Sequence, residues 1–498
     1  MPKQTTAFEL TLQPPERRAS YEWLYNALRS EILEGRLGPG NRLPASRELA
    51  RQYELARGTV VRAFDELKAE GYLEGSTGSG TYVSNVLPEV LFEARKTAAP
   101  GRSEKSPNEP SVSEYARRVR PFPSYEPRAP RAFRANIPAL DLFPMTLWAQ
   151  LAARRLRRFS VNALAGCDAL GYLPLRQALA RYLNASRGVK CAAGQILIVS
   201  GAQEALDLAA RVLLDRGDRV AIEDPGYVGA ARVFESCGAK ISPVSVDAEG
   251  LRARELYACG LYKSQPRLVY ITPGHQFPLG MTMSLSRRLE LLEWARASNA
   301  LIFEDDYDSE YRYSGRPLPA LQGIDRHERV LFAGTFSKVL FPALRLGYLV
   351  IPPALVDRFA AVKSVSSRHA PVADQAVLAD FMEQGHFARH LRRMRQVYSE
   401  RLTVLMESAR EKLAGLLEIS PIEAGLQTVG WLTSGIDETA AIREAQARGV
   451  EVMGLEHAYR RSKPVRAGLH LGFACVDPKE IRRGVRELAV ALAPLTSG

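Results

Sequence analysis

The chain has 498 residues, of which 46% are hydrophobic, 24% are charged and 8% are aromatic. This composition is typical of a soluble globular protein, and it excludes wholesale disorder and the collagen-like and coiled-coil classes. The formal net charge of +12 is compatible with nucleic-acid binding without demonstrating it. No apolar stretch reaches the ~20 residues of a membrane helix, and the N-terminus lacks the basic-then-apolar pattern of a signal peptide. We therefore expect a cytoplasmic protein that does not bind a membrane.

The cysteines argue against covalent or metal cross-links. Their number is odd and none is spaced as Cys-x-x-Cys, so a disulfide framework and a structural zinc site are both disfavoured. We expect reduced thiols and no metal site. The cysteines are Cys167, Cys191, Cys237, Cys259 and Cys475.

Composition divides the chain into three regions. Residues 17–84 have a compact, mostly helical pattern. Residues 1–84 hold eleven basic and eleven acidic residues, so this segment is neutral and any DNA contact there must come from local geometry. Residues 85–135 are rich in Pro, Ser, Arg and Glu, which predicts a linker that its prolines partly extend. From 136 to 498, short apolar runs alternate with helix-length amphipathic segments.

The N-terminal region has the pattern helix, turn, helix, β-hairpin. Apolar spacing predicts a helix over Tyr21–Leu33, Ser46 is placed to cap a short second helix, and a third helix runs from Arg57 to Glu70. Residues 71–85 predict two short strands around a Gly/Ser-rich tip. This order is typical of a winged helix-turn-helix, which places its recognition helix in the major groove. Because arginines and helix N-terminal amides suit phosphates and arginine also pairs with guanine, the predicted DNA contacts are Arg47, Arg57, Thr59 and Arg62.

Helix-turn-helix topology alone leaves open a dimerisation or scaffolding module without DNA. The amino-acid sequence is more specific than the topology. The chain has GRLGPGNRLPASRELA at 35–50, RGTVVRAFDELKAEGYL at 57–73 and GSGTYV at 78–83. These segments closely resemble the GntR family of bacterial winged-helix regulators. Gly58 departs from the family, which more often has a polar residue there, and this removes one candidate base contact.

In the third region, six short β-rich runs predict the strands of a mostly parallel sheet. Helices cover both faces of this sheet, for example the predicted helices Gln203–Asp215 and Ser286–Ala297. Ligands of such sheets bind beyond the C-terminal ends of the strands. Residues from about 374 to 498 predict a smaller α+β lobe. The predicted strands are 196–200, 219–224, 268–272, 300–306, 330–336 and 346–351.

Chemically distinctive residues follow these strands. Lys338 lies just past one strand end with Thr335, Ser337 and Arg345 nearby; a lysine amine can form a Schiff base with an aldehyde, and hydroxyls with an arginine suit a phosphate. Pyridoxal phosphate needs both features, together with a carboxylate at its pyridine nitrogen. Asp305, at the end of another strand, supplies a candidate carboxylate.

Four further residues extend this pattern. Tyr307 projects to the same side as Asp305 and is placed to donate to the phenolic oxygen of the cofactor. The amides of Ala202 and Gln203 begin a helix and form a candidate phosphate site. Tyr227 follows the next strand, where its ring is placed to stack on the pyridine.

The order of these residues resembles the fold-type I aminotransferases, as do GYLPLRQALARYL at 171–183, TPGHQFPLG at 272–280 and LHLGFA at 469–474. The resemblance runs from about 137 to 490 and implies that pyridoxal 5'-phosphate is the cofactor. It implies an internal aldimine on Lys338, a pyridine-nitrogen partner in Asp305, a partner of the phenolic oxygen in Tyr307 and a stacking ring in Tyr227. The phosphate would be held by Ala202, Gln203, Thr335, Ser337 and Arg345.

Two departures bear on activity. Phe277 stands where aminotransferases usually have the asparagine that binds the phenolic oxygen, and His470 stands where they usually have the arginine that binds the substrate carboxylate. Because a neutral histidine lacks the fixed charge and the fork of arginine, we expect inefficient amino-acid transamination. His470, Arg368 and His275 are the candidate effector-binding residues, and Arg466 is a further substitute for the missing arginine.

The whole chain resembles the MocR/GabR-type transcriptional regulators, in which a GntR-type winged helix, a linker and an aminotransferase-like domain occur in this order. Two segments are close to sequence motifs of that family, HQFPLG at 275–280 and EDDYDSEYRY at 304–313. The resemblance implies a multidomain homodimer that binds a double-stranded DNA operator and senses a small amine effector through the cofactor. It implies at most a weak aminotransferase-like half-reaction and no physiological turnover.

Two other functions stay open at this point. One is an active pyridoxal phosphate-dependent aminotransferase with an accessory DNA-binding domain. The other is a constitutive DNA-binding protein whose second domain is only a dimer scaffold, against which the intact Lys338, Asp305 and Arg345 argue. The effector is also open: His470 and Gly229 disfavour a simple γ-amino acid and leave a sulfonate, a cyclic amine or the cofactor itself.

Overall fold

A computed structural model describes most of the chain, which divides into two compact units, residues 1–111 and 112–498. Among the helices of the described segments, none combines the length and the apolar composition needed to cross a membrane. Most of the predicted linker, the tip of the hairpin and the side chain of Cys259 lie outside the description. The described residues are 12, 20–76, 80–85, 111–122, 129–261, 265–314, 319–420, 422–461 and 466–496.

The first unit confirms the predicted order of helices and strands. Leu24 and Leu28 of the first helix pack against Val60 and Phe64 of the third, because apolar residues at a spacing of three to four share one helix face. Ser46 is the first helical residue and not the N-cap; the cap is Ala45, whose side chain makes no capping hydrogen bond. The elements are α1 Tyr21–Leu33, α2 Ser46–Gln52, α3 Arg57–Ala69, β1 Leu73–Ser76 and β2 Gly80–Val83, with β1 and β2 antiparallel.

The second unit is built on an eight-stranded sheet in the order β3-β10-β9-β8-β7-β4-β5-β6. All six predicted strands are present; β10 is antiparallel to both of its neighbours, and β4, β5, β7, β8 and β9 pair in parallel. The structure adds β5, whose Ser242, Pro243 and Ser245 interrupt the apolar run that would have predicted it. The strands are β3 Ile196–Val199, β4 Arg219–Asp224, β5 Lys240–Asp247, β6 Gly250–Leu251, β7 Leu268–Ile271, β8 Leu301–Asp306, β9 Val330–Thr335 and β10 Gly347–Val350.

Both faces of this sheet are buried, since alternate residues of one strand enter different cores. Phe303 packs in one core with the helix Ala202–Leu213, whereas Ile302 packs in another with the helix Leu285–Ala297. The helices are α4 Glu114–Arg118, α5 Met145–Arg157, α6 Val161–Ala165, α7 Leu173–Ser186, α8 Ala202–Leu213, α9 Val228–Ser236, α10 Ala253–Leu261, α11 Leu285–Ala297, α12 Leu321–Ile324, α13 Val356–Ser366, α14 Val372–Glu383, α15 His386–Lys412, α16 Glu438–Ala447 and α17 Pro478–Leu492.

The smaller lobe consists of an antiparallel sheet with α15, α16 and α17 packed around it. Its strands are β11 Leu417–Ile419, β12 Gln427–Leu432, β13 Met453–Gly454 and β14 Gly468–Gly472, in the order β11-β12-β14-β13. The predicted start near 374 is too early, because α14 packs against α5 and α7 of the larger lobe.

The predicted linker 85–135 also extends too far. Ala132 and Phe133 are fully buried in the core of the second unit, and Phe133 forms a β-bridge with Gly472. In α4, the Arg118 guanidinium donates to the Ser236 carbonyl over 3.0 Å. The proline-rich composition concealed these contacts because their partners lie more than a hundred residues away.

Candidate functional site

A cavity of about 330 Å³ opens at the carboxyl edge of the large sheet. The turns after β3, β4, β7, β8 and β9 all contribute to it, because the ends of parallel strands meet at one edge. The described residues that line it are Asn136, Gly201, Ala202, Gln203, Tyr227, Tyr270, Thr272, Phe277, Asp305, Tyr307, Thr335, Ser337, Lys338, Pro342 and Arg345. All nine residues that the sequence analysis assigned to the cofactor are among them.

Asp305 lies at the bottom of the cavity and is 5% exposed. Burial raises the pKa of its carboxyl to about 6, and the neighbouring Asp306 adds to this rise while Lys338 opposes it. The Tyr270 hydroxyl donates to Asp305 Oδ2 over 2.8 Å. Sequence reasoning missed Tyr270, although a hydroxyl within an otherwise apolar strand is itself a hint, because a buried tyrosine usually needs a hydrogen-bond partner.

Lys338 points its amine across the cavity. Its Nζ donates to the backbone oxygen of Asn136 over 2.7 Å. Burial lowers the pKa of Lys338 to about 8, against the opposing effect of Asp308 and Asp305. A lowered pKa increases the neutral fraction of the amine, which is the nucleophilic form. Asn136 is 202 residues away in sequence, and no local pattern points to it.

The other end of the cavity is an anion-binding cup. Gly201 has φ 128, a conformation that favours glycine, and the first amides of α8 follow it without intrahelical partners. A Cβ on Gly201 would lie 3.7 Å from both terminal nitrogens of Arg345, so the guanidinium faces this helix start. The hydroxyls of Thr335 and Ser337 complete the cup, and the Ser337 amide donates to Thr335 Oγ1 over 3.1 Å.

A buried ion pair holds the helix start in place. Glu204, in the first turn of α8, accepts from the Ser200 amide over 2.6 Å and from Lys363 Nζ over 2.5 Å. The Lys363 side chain is fully buried. Both oxygens of Glu204 are therefore engaged by partners at or near the helix start.

Tyr227 closes one side of the cavity. Gln203 Nε2 donates to its hydroxyl over 2.8 Å, and a Cβ on Gly229 would lie only 2.4 Å from Tyr227 Cζ. Glycine at 229 is therefore required for this ring position. With an amine, a buried carboxylate, an anion-binding cup and a flanking ring, the cavity fits pyridoxal phosphate.

The predicted effector residues lie elsewhere. His470 is 1% exposed and lies behind Phe277, with ring centroids 5.3 Å apart; burial lowers its pKa to about 3. Neither it nor His275 lines the cavity. Arg368 is exposed and also lies outside the lining, and Arg466 binds Glu418 over 2.7 Å at the edge of the smaller lobe.

The predicted DNA contacts lie on α2 and α3 of the first unit. Arg47 and Arg57 are exposed near the starts of these helices, and Thr59 is half-buried. Arg62 is exposed, but its guanidinium lies over the Tyr21 ring, 4.5 Å from the centroid. The structure adds Arg42, an exposed side chain so close to the hairpin that a Cβ on Gly80 would lie 2.9 Å from its Nε.

We expect Asp305→Asn to stabilise the cofactor-free protein and to weaken cofactor binding. The carboxyl has its pKa raised to about 6, so its ionisation costs stability fully above pH 6 and not below about pH 4. Thermal melts of the cofactor-free protein at pH 8 should show a gain on the order of 1–3 kcal/mol, which shrinks at pH 5. Asparagine still accepts from Tyr270, so the fold is retained.

Asp306→Asn is the matched control, because it removes the neighbouring carboxylate. Asp306 Oδ2 pairs with Arg187 over 2.5 Å, so this variant should lose stability. If the cofactor-free Asp305→Asn protein is no more stable than wild type at pH 8, the buried Asp305 carboxylate does not destabilise the fold as its raised pKa implies.

The comparisons with known proteins agree with both units. Residues 139–488 match the family "Aminotransferase class I and II", and residues 20–83 match "Bacterial regulatory proteins, gntR family". The chain is 40% identical to the probable rhizopine catabolism regulatory protein MocR of Rhizobium meliloti, over 95% of this chain and 94% of that protein. It is 29% identical to the HTH-type pyridoxine biosynthesis transcriptional regulator PdxR of Corynebacterium glutamicum, over 97% of this chain and 98% of that protein.

A solved structure shows a similar fold with a cofactor adduct. It is LysN, the α-aminoadipate aminotransferase of Thermus thermophilus, in complex with N-(5'-phosphopyridoxyl)-L-leucine. The TM-score is 0.67 at 29% identity, over 73% of this chain and 92% of that chain.

Proposed function

This chain belongs to the MocR type of GntR-family transcriptional regulators, which depend on pyridoxal phosphate, and we propose that it senses its effector at Lys338. The effector is an amine or the cofactor itself, and its binding changes the affinity of the first unit for operator DNA. The observation that carries the proposal is the single cavity in which the Lys338 amine, the buried Asp305 and the anion-binding cup converge. We further propose that the protein is a cytoplasmic homodimer.

Nine of the fifteen described lining residues have a role in this proposal. Lys338 is the attachment point of the cofactor, and Asp305 binds its pyridine nitrogen. Tyr227 stacks on the ring and Tyr307 binds the phenolic oxygen. The cup holds the phosphate through Ala202, Gln203, Thr335, Ser337 and Arg345. When bound, the cofactor supplies an aldehyde carbon that exchanges one amine for another.

The lining limits the class of effector. Arg345 is the one arginine among the described lining residues, and it lies at the phosphate end. His470, at the position where aminotransferases have their carboxylate-binding arginine, is neutral and shielded by Phe277. We therefore favour a cyclic amine or pyridoxal phosphate itself over a simple γ-amino acid or an aminosulfonate, because each of the last two carries an anionic group that needs such an arginine.

A junction between the two lobes supports coupling from the cavity to the rest of the second unit. At the end of β4, Asp224 accepts from the backbone amides of Arg460 and Arg461 over 2.8 and 3.0 Å. The Gly226 amide donates to the Ala458 carbonyl over 3.0 Å. Tyr227 is the next residue, so a ligand that moves its ring strains this junction and shifts the smaller lobe. The shift changes the relative placement of the two winged helices in a dimer, and DNA binding depends on how that placement matches the spacing of the half-sites.

Operator binding in the presence of amines tests the proposal. The cofactor-loaded protein is titrated onto labelled DNA from upstream of its gene, with cyclohexylamine, taurine or γ-aminobutyrate present, and the cofactor-free protein is measured in parallel. We expect cyclohexylamine or cofactor loading to change the affinity tenfold or more, which is about 1.4 kcal/mol of coupling, and we expect taurine and γ-aminobutyrate to have no effect. Equal affinities in all samples would refute the sensing role.

The convergence of nine candidate cofactor-binding residues on one cavity also keeps an active aminotransferase as the second candidate. Many turnovers per minute of an amino acid with a keto acid would favour it, since the missing carboxylate-binding arginine predicts slow exchange at most.

A further inference from the structure

A buried histidine and aspartate support Tyr307 from outside the cavity. His275 Nδ1 lies 3.1 Å from the Tyr307 hydroxyl oxygen and 2.9 Å from Asp308 Oδ1. His275 is 3% exposed and Asp308 is 1% exposed. Asp308 Oδ2 also accepts from the Leu426 amide of the smaller lobe over 3.2 Å. The three side chains therefore form a chain that ends at the cavity.

We propose that His275 and Asp308 are positioning residues that direct the Tyr307 hydroxyl proton into the cavity, toward the phenolic oxygen of the cofactor. The inference rests on the proposed cofactor site and deepens it. It also replaces the expectation that His275 contacts the effector, because His275 does not line the cavity.

Hydrogen-bond accounting gives the direction of the proton. A carboxylate is an acceptor only, so His275 Nδ1 must carry a hydrogen in order to bind Asp308. The same nitrogen then has no lone pair for Tyr307, whose oxygen can only accept from it. Burial raises the pKa of Tyr307 well above its usual value, and Asp308 and Asp305 add to this rise, so the hydroxyl keeps its proton. With His275 as the donor on this side, the hydroxyl proton of Tyr307 is left to point into the cavity.

Phe277 explains why this support matters. It lines the cavity where aminotransferases usually have an asparagine, and its ring donates no hydrogen bond. Tyr307 must then stabilise the phenolic oxygen without that second donor. If the Tyr307 hydroxyl loses its orientation, the phenolic oxygen loses its hydrogen bond, and no neighbouring donor at position 277 replaces it.

Packing shows that the histidine position is built into the fold. A Cβ on Gly425, at φ 95, would lie 2.1 Å from His275 Cε1, so only glycine leaves room for the ring. The Gly425 amide donates to the Tyr311 carbonyl over 2.9 Å, which ties this turn of the smaller lobe to the segment after β8. His275 is thus enclosed by both lobes.

The experiment is a pH titration of the visible absorbance of the cofactor-loaded protein. The ionisable groups that face Tyr307 are Asp305, Asp308, Glu223 and His275, and Lys338 faces Asp305. We expect His275→Leu to raise the midpoint of this titration by about one pH unit, which is a tenfold change in proton affinity. The reason is that the oriented Tyr307 hydroxyl stabilises the deprotonated form of the cofactor. Asp308→Asn, which changes no side-chain volume, should give a similar shift even if His275→Leu folds poorly.

Double variants separate positioning from general damage. Tyr307→Phe should raise the midpoint at least as far, and His275→Leu combined with Tyr307→Phe should add nothing further, since one acts through the other. His275→Asn, which restores a donor near the position of Nδ1, should recover part of the wild-type midpoint, and His327→Leu at an exposed histidine should leave it unchanged.

Each result has a consequence. A midpoint that moves in Tyr307→Phe and stays at the wild-type value in both His275→Leu and Asp308→Asn overturns the inference and leaves the proposed function intact. Additive shifts in the double variant overturn it as well. An unchanged midpoint in Tyr307→Phe would instead contradict the proposed cofactor site.

Discussion

Lys338→Ala is expected to abolish covalent attachment of pyridoxal phosphate and, with it, the effector response of operator binding. The amine is half-buried, hydrogen-bonded to a backbone oxygen and lowered in pKa to about 8, so it is available to a carbonyl carbon near neutral pH. DNA binding itself should persist, because the first unit has its own core.

Borohydride treatment followed by peptide mass mapping measures the attachment. The wild-type protein should carry the cofactor on the peptide that contains Lys338, and the variant should carry none. Lys240→Ala, at an exposed lysine, is the control and should label like wild type.

The structure also names a lysine that should not react. Lys363 is buried close to the helix start that forms the anion-binding cup, but its amine is paired with Glu204 over 2.5 Å. A labelled Lys363 peptide, or an effector response that survives in Lys338→Ala, would show that sensing does not run through Lys338.

Arg57→Ala is expected to weaken operator binding by about 1–3 kcal/mol, which is roughly 5- to 150-fold. Arg57 is the first residue of α3 and is exposed, so we expect its guanidinium and the positive end of the helix to contact the DNA together. Fluorescence anisotropy across a salt series measures the affinity and its salt dependence, whose slope falls by about 1 if the contact is a phosphate.

Arg36→Ala is the matched control, because Arg36 is paired with Glu31 and Glu34 within the first unit. It should change the affinity little. Arg62→Ala should have a smaller effect than Arg57→Ala, since its guanidinium lies over the Tyr21 ring. Equal affinity of Arg57→Ala and wild type at every salt concentration would remove α3 from the DNA interface.

Residues that follow predicted strands could be placed from the sequence alone. Asp305, Tyr227 and Lys338 lie at different strand ends and are far apart in sequence, yet all line one cavity. Parallel pairing explains this, because it brings every carboxyl end to the same edge without any further information.

Residues whose role depends on distant partners could not be placed in this way. Asn136 reaches Lys338 across 202 residues of sequence, and Phe133 is buried although its neighbourhood has a linker composition. Packing keeps two of the three candidate effector residues out of the lining, because Phe277 lies against His470 and Asp308 binds His275. Arg368 is exposed and also lies outside the lining.

Local pattern was thus sufficient for the winged helix, the alternating strands and helices, and the candidate cofactor-binding residues that line the cavity. Each depends on spacing within one element or on a rule that applies to every parallel sheet. The limits of the linker and of the smaller lobe, the hydroxyl of Tyr270 on Asp305 and the support of Tyr307 required the folded chain. Those features are contacts between segments whose separation in sequence carries no periodic signal, so only the packed lobes determine which side chains meet.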